Sequence, residues 1–438
     1  MTGLHYLLWA LLTIPVVGQL RRIWKDPREV LSPLAVVTMG FFFLYVVAYF
    51  ALDARSKAEL LSNDGYLLVL TLACASWLFF YIGYRLASVP SRARFPALDL
   101  QRTEVIAFLY IVTAALGWAV FLDRSGGFAA YYGSPHGAAG AWAETSAYIY
   151  TLRMLFFPAL YLLIALHLQA KPSPIGTVLM AGVACFLLAD AWWQGSRGTW
   201  IRLLVVALVA TILLDLTRKV LRKRALIIPP IVVALIVLTP YIRSAMHLGA
   251  ERSVLTAVEE VLGEVNPLAG SAPGEGNELV YASALVSSAA TTNTLDYGYQ
   301  WIYPVIAFVP RFWWPDKPLS PDWSIDYREL VFSRQGWLVA PGAAPTGLAD
   351  AFLRFSWFSP LVWLFLGLWG ARLWSTSKTG QHPADVGYLC AYHIGLVYMI
   401  TQSFEAAFYG WAFFVGPILV WATLTTAQLP RQTSPSTT

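Results

Sequence analysis

Apolar runs of about 20 residues recur from residue 4 to residue 426, and they constrain this chain more than any motif in it. A hydrocarbon core about 30 Å thick is crossed by about 20 apolar residues of helix, because every backbone polar group must be satisfied within the segment. A membrane barrel would show alternating strands of about ten residues, whereas these runs are continuous. Hydrophobic residues make up 58% of the chain and charged residues 13%. Soluble domains hold about 45–50% and about 25%. The spread of the runs excludes a soluble, a disordered and a singly anchored protein. The first run has no Lys or Arg before it and no small-residue cleavage pattern after it, so it reads as a span rather than a signal peptide.

The fold class expected is an all-α polytopic membrane protein. Eleven spans are expected, at 4–20, 32–52, 65–86, 103–122, 146–168, 174–193, 200–216, 225–242, 346–373, 386–404 and 408–426. Strict alternation puts 17 basic residues on one side, among them Arg21, Arg22, Lys25, Arg28, Arg85, Arg102, Arg372 and Lys378. The short loops of the other side hold only four, Arg55, Lys57, Arg124 and Arg197. Basic residues in short loops stay cytoplasmic, so the N-terminus is expected outside and the C-terminus inside. The same bias accounts for the net charge of +5 without a nucleic-acid partner.

The chain then divides into spans one to eight over 1–242, a large outer loop over 243–345, spans nine to eleven over 346–427, and a short polar tail over 428–438 expected to be disordered. Within the loop, Tyr297–Pro310 is apolar but short and interrupted by proline, which suits a re-entrant or interface-lying segment. Phe312–Trp314 suits the headgroup level. The Gly/Ala/Tyr-rich loop Asp123–Thr145 reads as a flap. Cys74, Cys185 and Cys390 lie inside apolar runs without ligand spacing, and no DxD occurs, so neither a metal nor another cofactor is expected.

Charges that disobey the topological bias gather at one depth, the outer boundary. Arg153, Arg202 and Arg354 lie within a turn or two of the outer ends of spans, as do Asp190 and Asp350. Arg197 sits in the tight turn Gly195-Ser-Arg-Gly198, Arg243 leaves the eighth span, and Arg311 and Lys317 follow the apolar loop segment. Guanidinium forks grip phosphate oxygens, so such a set suits an anionic lipid headgroup or diphosphate. Taken singly, Arg153, Arg202 and Arg354 are accounted for by snorkelling. The Gly- and Pro-framed Arg197 and Arg311 are read as functional. His247, four residues from Arg243, is either a base or a solvated loop histidine. His393, mid-span, is a satisfied core residue or a proton relay.

Three pieces resemble one family: Gln194-Gly-Ser-Arg-Gly198, Phe308-Val-Pro-Arg-Phe-Trp-Trp-Pro-Asp-Lys-Pro318 and Thr346-Gly-Leu-Ala-Asp-Ala-Phe-Leu-Arg-Phe355. Their order, sidedness and spacing are similar to those of the Wzy-type oligosaccharide repeat unit polymerases, or O-antigen polymerases. These are bacterial inner-membrane glycosyltransferases of the GT-C type. Asp350 stands where that family carries a longer acidic residue. The resemblance implies a large periplasmic loop and a donor glycan on undecaprenyl diphosphate. That glycan passes to a hydroxyl of an incoming lipid-linked repeat unit at the periplasmic face. A chain-length regulator protein is an implied partner alongside membrane lipids.

On that reading Arg197 and Arg311 hold the donor diphosphate, with Lys317 and Arg243 assisting, Arg153 and Arg354 in the same substrate-binding set, and no divalent metal. Asp350 is the first candidate base, with Asp316 and His247 behind it. An i,i+4 ion pair between Asp350 and Arg354 stands equally open. An O-antigen ligase-type transferase is the nearest alternative. A lipid-linked oligosaccharide transporter would need charges at mid-bilayer along a pathway, and spans one to eight nearly lack them.

Overall fold

A computed structural model describes residues 3–52, 57, 60–87, 100–128, 131, 147–169, 173–194, 197–214, 278–307, 309, 313–316, 327–337, 344–378 and 382–425. All regular structure among them is helical. The helices are α1 (Gly3–Lys25), α2 (Pro33–Phe42), α3 (Asn63–Leu86), α4 (Leu100–Arg124), α5 (Ala147–Leu152), α6 (Phe156–Gln169), α7 (Pro174–Gln194) and α8 (Arg197–Leu214). After 278 come α9 (Glu278–Thr292), α10 (Tyr299–Ala307), α11 (Tyr327–Gln335), α12 (Thr346–Phe355), α13 (Pro360–Ser377), α14 (Pro383–Thr401) and α15 (Phe404–Thr425).

Six helices among the described residues are long and apolar enough to cross a membrane: α1, α2 with its continuation to Phe50, α3, α4, α7 and α15. A seventh is reached if α12 and α13 count as one broken span. These helices define a polytopic helical membrane protein. The expected span 225–242 lies outside the described residues, as do the tail 428–438 and most of the 123–145 loop.

Local chemistry starts the helices where it should. Ser32 caps α2 by accepting from the Ala35 amide at 3.2 Å, with Pro33 in the first turn where its missing N–H costs nothing. Ser62 caps α3 through the Gly65 amide at 3.0 Å. Beyond Phe42 the second span continues through a wider π-turn, Phe43–Val47, into Ala48–Ala51. Crossing of α3 and α13 depends on two glycines. A Cβ on Gly83 would meet the Leu364 carbonyl, and one on Gly367 would meet the Phe80 carbonyl. Between helices with no hydrophobic drive to associate, such backbone approach is what packs them.

The expected span 346–373 is bent within its length. The chain bends by 112° between α12 and α13. Ser356 there holds φ 49°, in the left-handed region that ends a helix, and Pro360 starts the next one. The turn between α14 and α15 falls at 402–403.

Basic residues share one end of the bundle. Arg28 donates to the Lys378 carbonyl at 3.1 Å, and Arg102 to the Leu424 carbonyl at 3.3 Å. Arg22 and Lys25 close α1, and Arg85 closes α3. His393 is buried, with Nδ1 2.8 Å from the Leu389 carbonyl and Nε2 2.9 Å from that of Leu31, so the one N–H of a neutral ring serves one of the two.

At the opposite, distal end the described part of the large loop folds onto the bundle. α9 is buried along most of its length and packs its small residues on the start of α3, where Gly65 faces the Ser283 carbonyl. α10 spans nine residues, about 14 Å, too short to cross a bilayer. It turns Trp301 inward and leaves Tyr299, Ile302 and Val305 exposed.

Candidate functional site

Asp350 and Arg354 lie one turn apart on α12, and both are almost fully buried. α12 reaches its place because Gly347 lets the backbone press on the Met399 carbonyl of α14. Arg354 Nη2 donates to Asp350 Oδ1 at 2.8 Å. Its two terminal nitrogens also reach Asp296 Oδ2 and Gln300 Oε1. The guanidinium lies 5.3 Å from the centre of the Tyr327 ring.

A local turn presents Asp296. Its Oδ1 accepts the Gly298 amide at 3.0 Å, and Tyr297 and Gly298 take φ of 54° and 86°. Such an Asx turn reverses the chain into α10. The Asp296 amide donates to the Leu353 carbonyl at 3.1 Å, so the turn is also tied to α12 through backbone.

Asp350 has four donors around it. They are Arg354 Nη2 and the Tyr327 hydroxyl on Oδ1 at 2.8 Å each, and Trp301 Nε1 at 3.1 Å and the Phe404 amide at 3.0 Å on Oδ2. The Phe404 amide opens α15, so this carboxylate also sits at a helix N-terminus, which favours its charge. A carboxylate has about four acceptor positions. Three of these donors serve it and the Tyr327 hydroxyl is shared with Gln300; the contact to Arg354 fits the ion-pair reading of Asp350. Trp301 is clamped by Phe404, stacked at 3.9 Å, and by Phe355, edge-on at 5.0 Å.

This network joins α10, α11, α12 and α15 through one guanidinium and two carboxylates. Asp296, Gln300, Trp301 and Tyr327 escaped the sequence reading. Only Asp296 carried a signal, a turn-forming Asp two residues before a glycine. The Tyr327 hydroxyl lies 2.8 Å from both Gln300 Oε1 and Asp350 Oδ1, with one proton to serve them. Tyr327→Phe is expected to cost about 1–2 kcal/mol, read as a lower unfolding temperature in detergent. An unshifted temperature would mean the hydroxyl contributes nothing.

A second group of charges lies nearby. Arg153 Nη1 is 3.5 Å from Asp190 Oδ2, both buried, with Trp118 5.1 Å from the guanidinium. Arg197 opens α8, and its side chain lies outside the described residues. A Cβ on its neighbour Gly198 would meet the Tyr398 hydroxyl. The Gly198 end of α8 and the Gly347 end of α12 therefore pack against consecutive residues of α14, Tyr398 and Met399. Asp316 closes an exposed turn, Trp313–Asp316. Arg243, His247, Arg311 and Lys317 lie outside the described residues. No group of three His, Cys, Asp or Glu residues able to hold a metal occurs among the described residues.

The class these features define is a polytopic helical membrane protein with a buried ionic network at the end opposite its basic loops. No protein-family model, curated protein or solved structure matches the chain.

Proposed function

We propose that this protein is an inner-membrane polymerase of lipid-linked oligosaccharide repeat units, of the glycosyltransferase type its three motif-like pieces resemble. The observation that supports this reading is that the Gly198 end of α8 and the Gly347 end of α12 pack against consecutive residues of α14, Tyr398 and Met399, away from the basic end. By the rule that basic loops stay cytoplasmic, that end faces the periplasm.

In this reading a hydroxyl of the incoming repeat unit attacks the anomeric carbon of the donor glycan. A new glycosidic C–O bond forms, the C–O bond to the lipid diphosphate breaks, and the hydroxyl proton passes to a base. Arg197 and Arg311, assisted by Lys317 and Arg243, take up the charge of the departing diphosphate. In a water-poor site this is the main source of rate. Asp350 is engaged by Arg354, Trp301 and the Phe404 amide, and in this reading its part is to hold α12 and the large loop in register. The base then falls to Asp316 or His247.

Arg197→Ala and Arg311→Ala are each expected to abolish polymer while protein remains in the membrane. The readout is the length distribution of lipid-linked glycan in cells carrying each variant. Single repeats left on the acceptor mark a polymerase defect. Long lipid-linked chains left untransferred would mark a ligase instead. Wild-type chains in either variant would remove that arginine from the site.

A further inference from the structure

Three of the distal arginines, Arg153, Arg202 and Arg354, are buried or half-buried, and their surroundings differ in one respect. Arg153 faces Asp190, and Arg354 faces Asp296 and Asp350. Arg202 has no carboxylate within ion-pair reach among the described residues. Its Nη1 is 3.0 Å from Met154 Sδ, a weak acceptor that carries no charge. Its guanidinium lies 4.9 Å from the centre of the Tyr398 ring and 5.8 Å from that of Phe157. Its Nε is buried and has no hydrogen-bond partner among the described residues.

Arg202 follows Gly198 by one helical turn, so both face Tyr398. Rings and a thioether orient a guanidinium and supply some cation–π attraction, but they do not neutralise it. Arg202 is half-buried, with its charge partly withdrawn from solvent, and charged residues inside membrane helices serve function. A snorkelling arginine would run its stem outward and leave its head in water. Here Nε is enclosed and the head is held between two rings.

We infer that Arg202 is an anion-binding residue whose counter-charge is a phosphate-type group, a diphosphate or a phosphate ester, entering from the distal end beside Arg197. As a contact to the donor diphosphate this rests on the polymerase reading. As an anion site it stands by itself. The guanidinium offers planar, paired donors that match phosphate oxygens, and its aromatic neighbours fix the plane in advance.

The test uses the full-length protein in a non-ionic maltoside detergent, with inorganic diphosphate and farnesyl diphosphate as probes. Binding is measured by calorimetry and as a ligand-induced rise in unfolding temperature. Wild type is expected to bind. Arg202→Gln and Arg202→Met are expected to bind roughly ten- to a hundredfold more weakly, with Arg202→Lys between. Without ligand, Arg202→Met is expected to unfold no earlier than wild type, because it removes an uncompensated charge. Equal binding of both probes assigns the site to the anion itself. Binding of farnesyl diphosphate alone assigns it to a lipid-borne diphosphate.

The inference is overturned if neither probe binds wild type. It is also overturned if Arg202→Met keeps wild-type affinity, or if its ligand-free stability falls as far as that of Arg354→Met. Failure of the polymerase reading looks different: diphosphate binding would still depend on Arg202, while Arg197→Ala cells would make normal polymer.

Discussion

Arg354→Met is expected to destabilise the protein by about 3–5 kcal/mol, the usual cost of removing one partner from a buried ion pair. The substitution leaves Asp296 and Asp350 enclosed, near each other, and without the cation between them. Their remaining donors are neutral: the Tyr327 hydroxyl, the Trp301 indole and backbone amides. Arg354→Lys is expected to fall between, since one ammonium cannot match the fork that reaches Asp296, Asp350 and Gln300. Adding Asp296→Asn to Arg354→Met removes half of the like-charge problem and is expected to recover part of the loss. The measurement is the unfolding temperature of purified protein in detergent, with proteolysis of the 278–345 region as a second readout. If the loop stayed as protected in Arg354→Met as in wild type, the network would not be what holds α10 and α11 to the bundle.

Gly367→Leu is expected to be at least as damaging. At the crossing of α3 and α13 the two backbones touch without side chains between them, with Gly367 on the Phe80 carbonyl and Gly83 on the Leu364 carbonyl. A leucine there cannot be absorbed by rotating a neighbour, because the obstacle is main chain. Overpacking a core costs about 1–3 kcal/mol even where side chains can yield. Here the helix axes must separate, and the buried pair Phe41 and Trp363, whose ring centres lie 4.8 Å apart, goes with them. Gly182→Leu is the matched comparison, since a Cβ at Gly182 meets nothing within 4 Å. Monodisperse yield from detergent extracts is expected to collapse for Gly367→Leu and to stay at wild-type level for Gly182→Leu. Equal yields would show that α3 and α13 can pack at a wider spacing.

The six membrane-length helices among the described residues correspond to runs legible as hydropathy, because burying about 20 residues of backbone in hydrocarbon leaves a compositional trace that no neighbour can supply. Straightness leaves none. Hydropathy runs unbroken from 346 to 373, yet Ser356 and Pro360 turn the chain there; the proline was visible, while the left-handed serine was not. The loop helix α9 was missed for a related reason. Its Ala- and Ser-rich face is too short and too mild to register as a span, and it is buried by protein rather than by lipid.

The pairing of Asp350 with Arg354 was one of two readings open from sequence, because i,i+4 spacing is a local fact. Its completion was not legible. Asp296 comes from 58 residues away from Arg354, and Tyr327 from 23 residues away from Asp350.

By itself the sequence determined that the chain is a bundle of membrane-length helices, since that follows from transfer energies summed along the chain. Only the tertiary structure decided which distal arginines are already balanced. Arg153, Arg202 and Arg354 look alike in sequence, each a turn or two from a helix end. The energy of a buried charge is set by what lies within a few ångströms of it, and for two of the three that is an aspartate brought in from another part of the chain or across one turn.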